Sequence, residues 1–315
     1  MIKTKILKSS SPLINVPTVA NGRLHRLQKN IIPYYYVTPI TVILIFISLF
    51  PLAYNFYISL YKFSLMDPLG KKYIGIKNYL KLIEDELFWN SIWNTLYFSV
   101  CAVSLEVVLG LSLALLLNRK KTRNREIYRT LMMLPIIMTP IAVAYMWRVI
   151  FTPDLGILNY ILSLFGIQGP EWLADMYWAM PALIIVDVWQ WVPFMALIIL
   201  SGLMSLPQEP FDAAKIDGAS EWQTLWYITL PMIKQIILIA LLIRIIDSFK
   251  LFDLVYAMTK GGPLRYTETF NYYIYTIAFR YLDIGYAGAL SITLLLMLII
   301  LSIAFIRLGG FYERK

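Results

Sequence analysis

The stretch FDAAKIDGASEWQTLWYITLP, residues 211–231, is polar and turn-rich, yet it lies between two of the most apolar runs of a 315-residue chain. Pro207 and Pro210 close the run before it and favour a fresh helix start, because proline lacks an N–H and presets φ. QEPFDAAKI carries its acids early and Lys215 late, which suits the helix dipole. Asp217-Gly218 is a stop signal, since glycine supplies the left-handed residue that ends a helix. Ser220 with Gln223 three residues on fits a capping box and opens a second helix, which Leu230-Pro231 is expected to end. The stretch predicts helix, glycine turn, helix, lying flat at a surface. Phe211, Ala214 and Lys215 share one face, and Trp222, Leu225 and Trp226 another. Two uses fit this pattern. One is an amphipathic helix resting on lipid. The other is a docking helix for a second protein, with the small Ala213-Ala214 pair admitting close approach.

The flanks decide what kind of surface it is. The chain is 59% hydrophobic and 15% charged, where soluble domains carry about 25% charged residues. Its mean hydropathy is +0.65. Six runs approach or exceed the roughly 20 apolar residues that cross a bilayer as a helix: residues 35–61, 92–117, 131–151, 178–204, 232–256 and 286–306. The expected fold is therefore all-α and polytopic, with six transmembrane helices. The domain reading is a basic tail over 1–33, a six-span domain over 34–308 with its insert at 207–231, and a short end at 309–315.

Charge gives the orientation. Lys3, Lys5, Lys8, Arg23, Arg26 and Lys29 stand in the tail without an acid, and no early apolar core marks a signal peptide. Arg119, Lys120, Lys121, Arg123, Arg125 and Arg129 crowd the second loop, whereas residues 152–177 hold no Lys or Arg. Both termini, the basic loop and the insert are then expected in the cytoplasm of a multi-pass cell-membrane protein. The net charge of +9 follows from this placement and does not point to nucleic acid. One cysteine, Cys101, and one histidine, His25, leave no intramolecular disulfide and no metal site built from those ligands.

Asp212-Ala213-Ala214, three residues, Gly218, nine residues, Ile228, Thr229 and Leu230-Pro231 match a family pattern in every spacing. The pattern begins Glu-Ala-Ala, so Asp212 is the one departure; it keeps the charge on a shorter side chain. The chain resembles the permease subunits of binding-protein-dependent ABC importers. FDLVYAMTKGGPLRYTETFNYYIYTIAF, residues 252–279, looks like their carbohydrate branch, the maltose and glycerol-3-phosphate type, in which a Gly-Gly-Pro turn precedes a Tyr-Ile-Tyr segment. The resemblance covers the chain beyond about residue 30. It implies that the insert is a coupling helix, with Phe211, Asp212, Ala213, Ala214 and Gly218 engaging a cleft on an ATPase subunit. It also implies a second permease subunit, two ATP-binding subunits, an external solute-binding protein and half of a translocation pathway for a sugar. No Gly-x-x-x-x-Gly-Lys-Ser/Thr loop is present, so ATP is expected on the partner and no cofactor on this chain.

Charges inside apolar spans are costly and ask for partners. Arg244 and Asp247 lie three residues apart on one face of the fifth span. Asp187 and Gln190 lie on the fourth beside Trp189, Trp191 and Phe194, and Glu106 stands alone in the second. Each fits a structural contact between helices, the reading preferred for Glu106. The family's solute cavity falls, by spacing from the insert, near Trp191, Phe194, Arg244, Asp247, Ser248 and Leu251. Aromatic faces and bidentate polar groups suit a sugar. Other readings are a permease of the same superfamily for an amino acid or peptide, and an ion-coupled secondary transporter using Asp187, Asp247 or Glu106. A membrane enzyme would need a catalytic set that the sequence does not contain.

Overall fold

The computed structural model describes residues 22–67, 70–119 and 125–309. Residues 1–21, 120–124 and 310–315 lie outside them, and with them most of the basic tail, part of the basic loop and the C-terminal end. The chain forms two units, Met1–Tyr54 and Asn55–Lys315.

In the first unit the described chain belongs to helix α1, Gly22–Ser59. Phe46, Phe50 and Tyr54 recur every fourth residue and stack on one another at 5.4 and 6.2 Å. The apolar side chains from Val37 onward are exposed.

The second unit is mostly helical. Its strands β1, Tyr61–Lys62, and β2, Lys72–Tyr73, pair antiparallel with Tyr61 opposite Tyr73. The helices are α2 Lys77–Glu84, α3 Glu86–Asn118, α4 Arg125–Ile137, α5 Pro140–Ile150, α6 Ile157–Leu164, α7 Ala179–Met204, α8 Glu209–Ile216, α9 Glu221–Thr224, α10 Leu230–Ser248, α11 Phe270–Tyr275 and α12 Ile284–Leu308. The centre is α7, apolar on nearly every face and flanked by α3 and α10. Gly110 of α3 permits the close approach: a Cβ there would lie 2.7 Å from Met195 Cγ on α7.

Five helices among the described residues are long and apolar enough to cross a membrane, and a sixth span arises if a bent pair is one crossing. That pair corrects the straight third span expected over 131–151. α4 and α5 meet at 94°. Pro140 has no N–H to continue the ladder, and its ring holds Thr139 extended at φ −65°, ψ 138°.

Two other boundaries differ from expectation. Leu230-Pro231 does not end a helix. A π-helical turn at Leu225–Thr229 bonds the Leu230 N–H five residues back and accommodates the proline, so Glu221–Ser248 is one span of 28 residues. The fifth span ends at Ser248 rather than near 256, and side chains from further along the chain take the carbonyls just past its end. Asn271 Nδ2 donates to Lys250 O at 2.7 Å and Thr269 Oγ1 to Leu251 O at 2.9 Å.

Candidate functional site

Arg244 sits on α10, 1% exposed, facing α3 and α7. An unpaired guanidinium in apolar surroundings would be prohibitive, and this one is surrounded by acids. Its Nε and Nη2 donate bidentately to Glu106 of α3, both at 2.7 Å. Nη2 also donates to Asp187 Oδ2 of α7 at 2.8 Å, and Nη1 to Asp247 Oδ2 one turn along α10 at 2.9 Å. Glu106 thus makes the structural contact between helices that was preferred for it, with a partner 138 residues away. Lys250 adds a longer pair to Asp247 at 3.3 Å. The indole of Trp191 lies over the guanidinium, 4.6 Å from ring centroid to Cζ.

Beside this cluster is a cavity of about 290 Å³, between the α4–α5 bend, α7 and the end of α10. Trp191, Arg244, Asp247, Ser248 and Leu251 line it, so five of the six expected solute positions come together. Phe194 does not line it; its ring meets Trp191 edge-on at 5.9 Å. The Ser248 hydroxyl donates back to Ile245 O, and Leu251 is buried. Asp247 and Trp191 are half-buried and so present open surface, whereas Arg244 is spent on its three carboxylates. Gln190 joins the lining: its Nε2 donates to Met138 O at 3.1 Å, at the α4–α5 bend. Its Oε1 is buried without a partner. Sequence reading noted Gln190 and Asp187 as polar groups in a span but did not assign them to the cavity.

The insert folds much as its local signals predict. Ser220 and Gln223 form the reciprocal capping box, Ser220 N–H to Gln223 Oε1 at 2.8 Å and Gln223 N–H to Ser220 Oγ at 3.2 Å. Gly218 stands at φ +74° with nothing within 4 Å of a built Cβ, so backbone conformation alone asks for glycine there. Asp212, Ala213 and Gly218 are exposed, Phe211 is half-buried, and Ala214 faces inward and is buried.

A third polar centre forms around Asp85, a residue not singled out in the sequence analysis. Asp85 caps α3: its Oδ1 accepts from the N–H groups of Leu87 and Phe88 at 3.0 and 3.4 Å. Its Oδ2 accepts from the phenols of Tyr273, at 2.6 Å, and Tyr286. Burial pushes this carboxyl up, but the two phenols and two backbone N–H groups prevail and hold it below its ordinary value. Burial and the adjoining carboxylate raise the Tyr273 phenol. An acid just before a long apolar run was the available signal.

Residues 106–315 match the family model described as binding-protein-dependent transport system inner membrane component. The chain is 36% identical over 282 residues to the trehalose/maltose transport system permease protein MalF of Thermococcus litoralis, covering 88% of this chain and 93% of that one. It is 32% identical over 285 residues to the lactose transport system permease protein LacF of Rhizobium radiobacter, covering 89% and 94%. Its fold matches a chain of the bacterial alginate ABC transporter, solved in complex with alginate pentasaccharide-bound periplasmic protein. There the TM-score is 0.76 at 23% identity, covering 93% of this chain and 97% of that one. A match over two thirds of the sequence, relatives aligned nearly end to end and a shared fold all agree: the chain belongs to the inner-membrane components of binding-protein-dependent transport systems, the permeases of ABC importers.

Proposed function

We propose that this permease forms half of the path by which a sugar, delivered by an external binding protein, crosses the membrane. The observation that carries the reading is the small polar cavity among apolar spans, which the Trp191 ring and the Asp247 carboxylate both line. Sugars offer C–H faces for such a ring and hydroxyl pairs for such a carboxylate. Relatives named for trehalose, maltose and lactose transport support the carbohydrate class. Trp191, Asp247, Ser248 and Leu251 are the wall met by solute, Arg244 fixes Asp247 in place, and Phe194 backs Trp191. A second permease subunit completes the path. Two ATP-binding subunits dock on the insert through Phe211, Asp212, Ala213 and Gly218, with Ala214 seating the helix from below. ATP binds on those subunits and this chain holds no cofactor. Six spans, the bent pair counting as one, put both termini and the insert in the cytoplasm.

Uptake of labelled trehalose and maltose by cells carrying the whole transporter tests the solute site. Asp247→Asn and Trp191→Ala are expected to lower uptake about tenfold or more, the cost of one charged hydrogen bond or ring contact, at unchanged assembly. A fall in assembled complex with unchanged sugar preference would make the stripe structural. Gly218→Val is expected to abolish uptake and weaken capture of the ATPase while the chain stays in the membrane. The backbone strain alone is about 1 kcal/mol or more. Normal solute-stimulated ATP hydrolysis in that variant would remove the coupling role. A cysteine placed between residues 154 and 175 should react with an impermeant label in intact cells, and one at position 121 should not. Uptake by this chain alone on an ion gradient would replace the importer reading with a secondary transporter.

A further inference from the structure

The wall of the cavity is unbalanced in charge. Asp187, Asp247 and Asp253 line it as acids, against Arg244 and Lys250 as cations. A fourth acid, Glu106, stands directly behind Arg244 and takes two of its N–H bonds. The cations that an anionic solute would need are already engaged. Arg244 directs Nε, Nη1 and Nη2 at three carboxylates, and Lys250 points at Asp247 Oδ1. The Gln190 amide is also committed: its N–H meets the Met138 carbonyl, which can only accept, so the oxygen is fixed as the unpartnered end. The wall thus has surplus acceptors and surplus negative charge.

We propose that this cavity selects for charge: it takes neutral, hydroxyl-donating sugars and rejects sugars that carry a carboxylate. The inference rests on the reading of the cavity as the sugar path. A hydroxyl brings the donor that the Gln190 oxygen lacks. A uronic acid at the same place brings a charge toward a net negative wall set among apolar spans, where repulsion is screened less than in bulk water. That would set this chain apart from the alginate importer whose fold it shares, since alginate is an acidic polysaccharide.

The binding protein has its own selectivity, so the test omits it. The assembled permease–ATPase complex in nanodiscs is titrated with maltose, trehalose, methyl α-glucoside and methyl α-glucuronide, and binding is read from tryptophan fluorescence. The last two probes differ only by a carboxylate in place of CH₂OH. The glucoside should bind at least about tenfold tighter than the glucuronide, a modest return for one like-charge encounter in a partly dry site. Asp253→Asn removes a lining acid outside the Arg244 cluster and should narrow that gap about fivefold or more. Equal or tighter binding of the glucuronide would overturn the proposal, as would an unchanged gap in Asp253→Asn. Binding of none of the four probes would remove the carbohydrate reading, and this inference with it. Binding of the uronide alone would sink only the inference.

Discussion

Arg244 and Asp85 each tie three helices of the second unit together, and they do so by opposite means. Arg244 joins α3, α7 and α10 through three carboxylates, two of them buried with it and the third, Asp247, half-buried. Asp85 joins the start of α3 to α11 and α12 through two phenols and two backbone N–H groups, at a half-buried edge. In the drier site a buried charge is held only by other charges, so Arg244, Glu106 and Asp187 depend on one another. At the wetter edge a half-buried acid is satisfied by neutral donors, so losing one of them strands no charge. The two centres make the same kind of connection with very different costs of removal.

The largest effect should come from Arg244→Met. It leaves Glu106 and Asp187 buried without the guanidinium they face, a change that typically costs about 3–5 kcal/mol. Extracted, monodisperse protein should fall sharply. Adding Glu106→Gln and Asp187→Asn to the same chain should restore much of it. Wild-type yield and melting for Arg244→Met alone would show that the dry cluster is no more critical than the wet one. Asp85→Ala comes next, at about 1–2 kcal/mol for a lost cap and its hydrogen bonds. Its sign with pH is fixed. The folded carboxyl lies below its ordinary 3.8, so its contribution is full above that value and is lost as pH falls through the folded one. The melting difference between wild type and Asp85→Ala should therefore shrink below about pH 4; a constant difference down to pH 3 would mean the acid acts by shape alone. Tyr273→Phe and Tyr286→Phe should be smallest, about 1 kcal/mol or less each. If either rivals Arg244→Met, the distinction between dry and wet centres fails.

What the sequence made legible is what neighbours in the chain decide. Ser220 and Gln223 cap each other as three-residue spacing predicts, and Gly218 takes the left-handed turn. The third span was read through its bend because apolar composition carries no direction. Proline did not discriminate either: Pro193 lies inside an unbroken α7 and Pro135 inside α4, while Pro140 starts a new helix. Just past the end of the fifth span Thr269 and Asn271 take the carbonyls of Leu251 and Lys250, and those donors arrive from a later segment. Glu106 and Asp187 meet Arg244 across 138 and 57 residues, which no local spacing encodes. Arg244 and Asp247 were legible as a pair because they share one helix turn.

The helix that runs unbroken from Glu221 to Ser248 has a mechanical consequence. Its 28 residues span about 42 Å at 1.5 Å each. One end begins at the Ser220 cap of the surface insert, and the other carries Arg244 and Asp247. The π-helical turn carries the ladder up to Pro231, which would otherwise have cut it. A torque applied at the insert therefore has nowhere to dissipate before it reaches the guanidinium, and the three carboxylates there would feel it together, as the teeth of one gear feel the turning of its shaft.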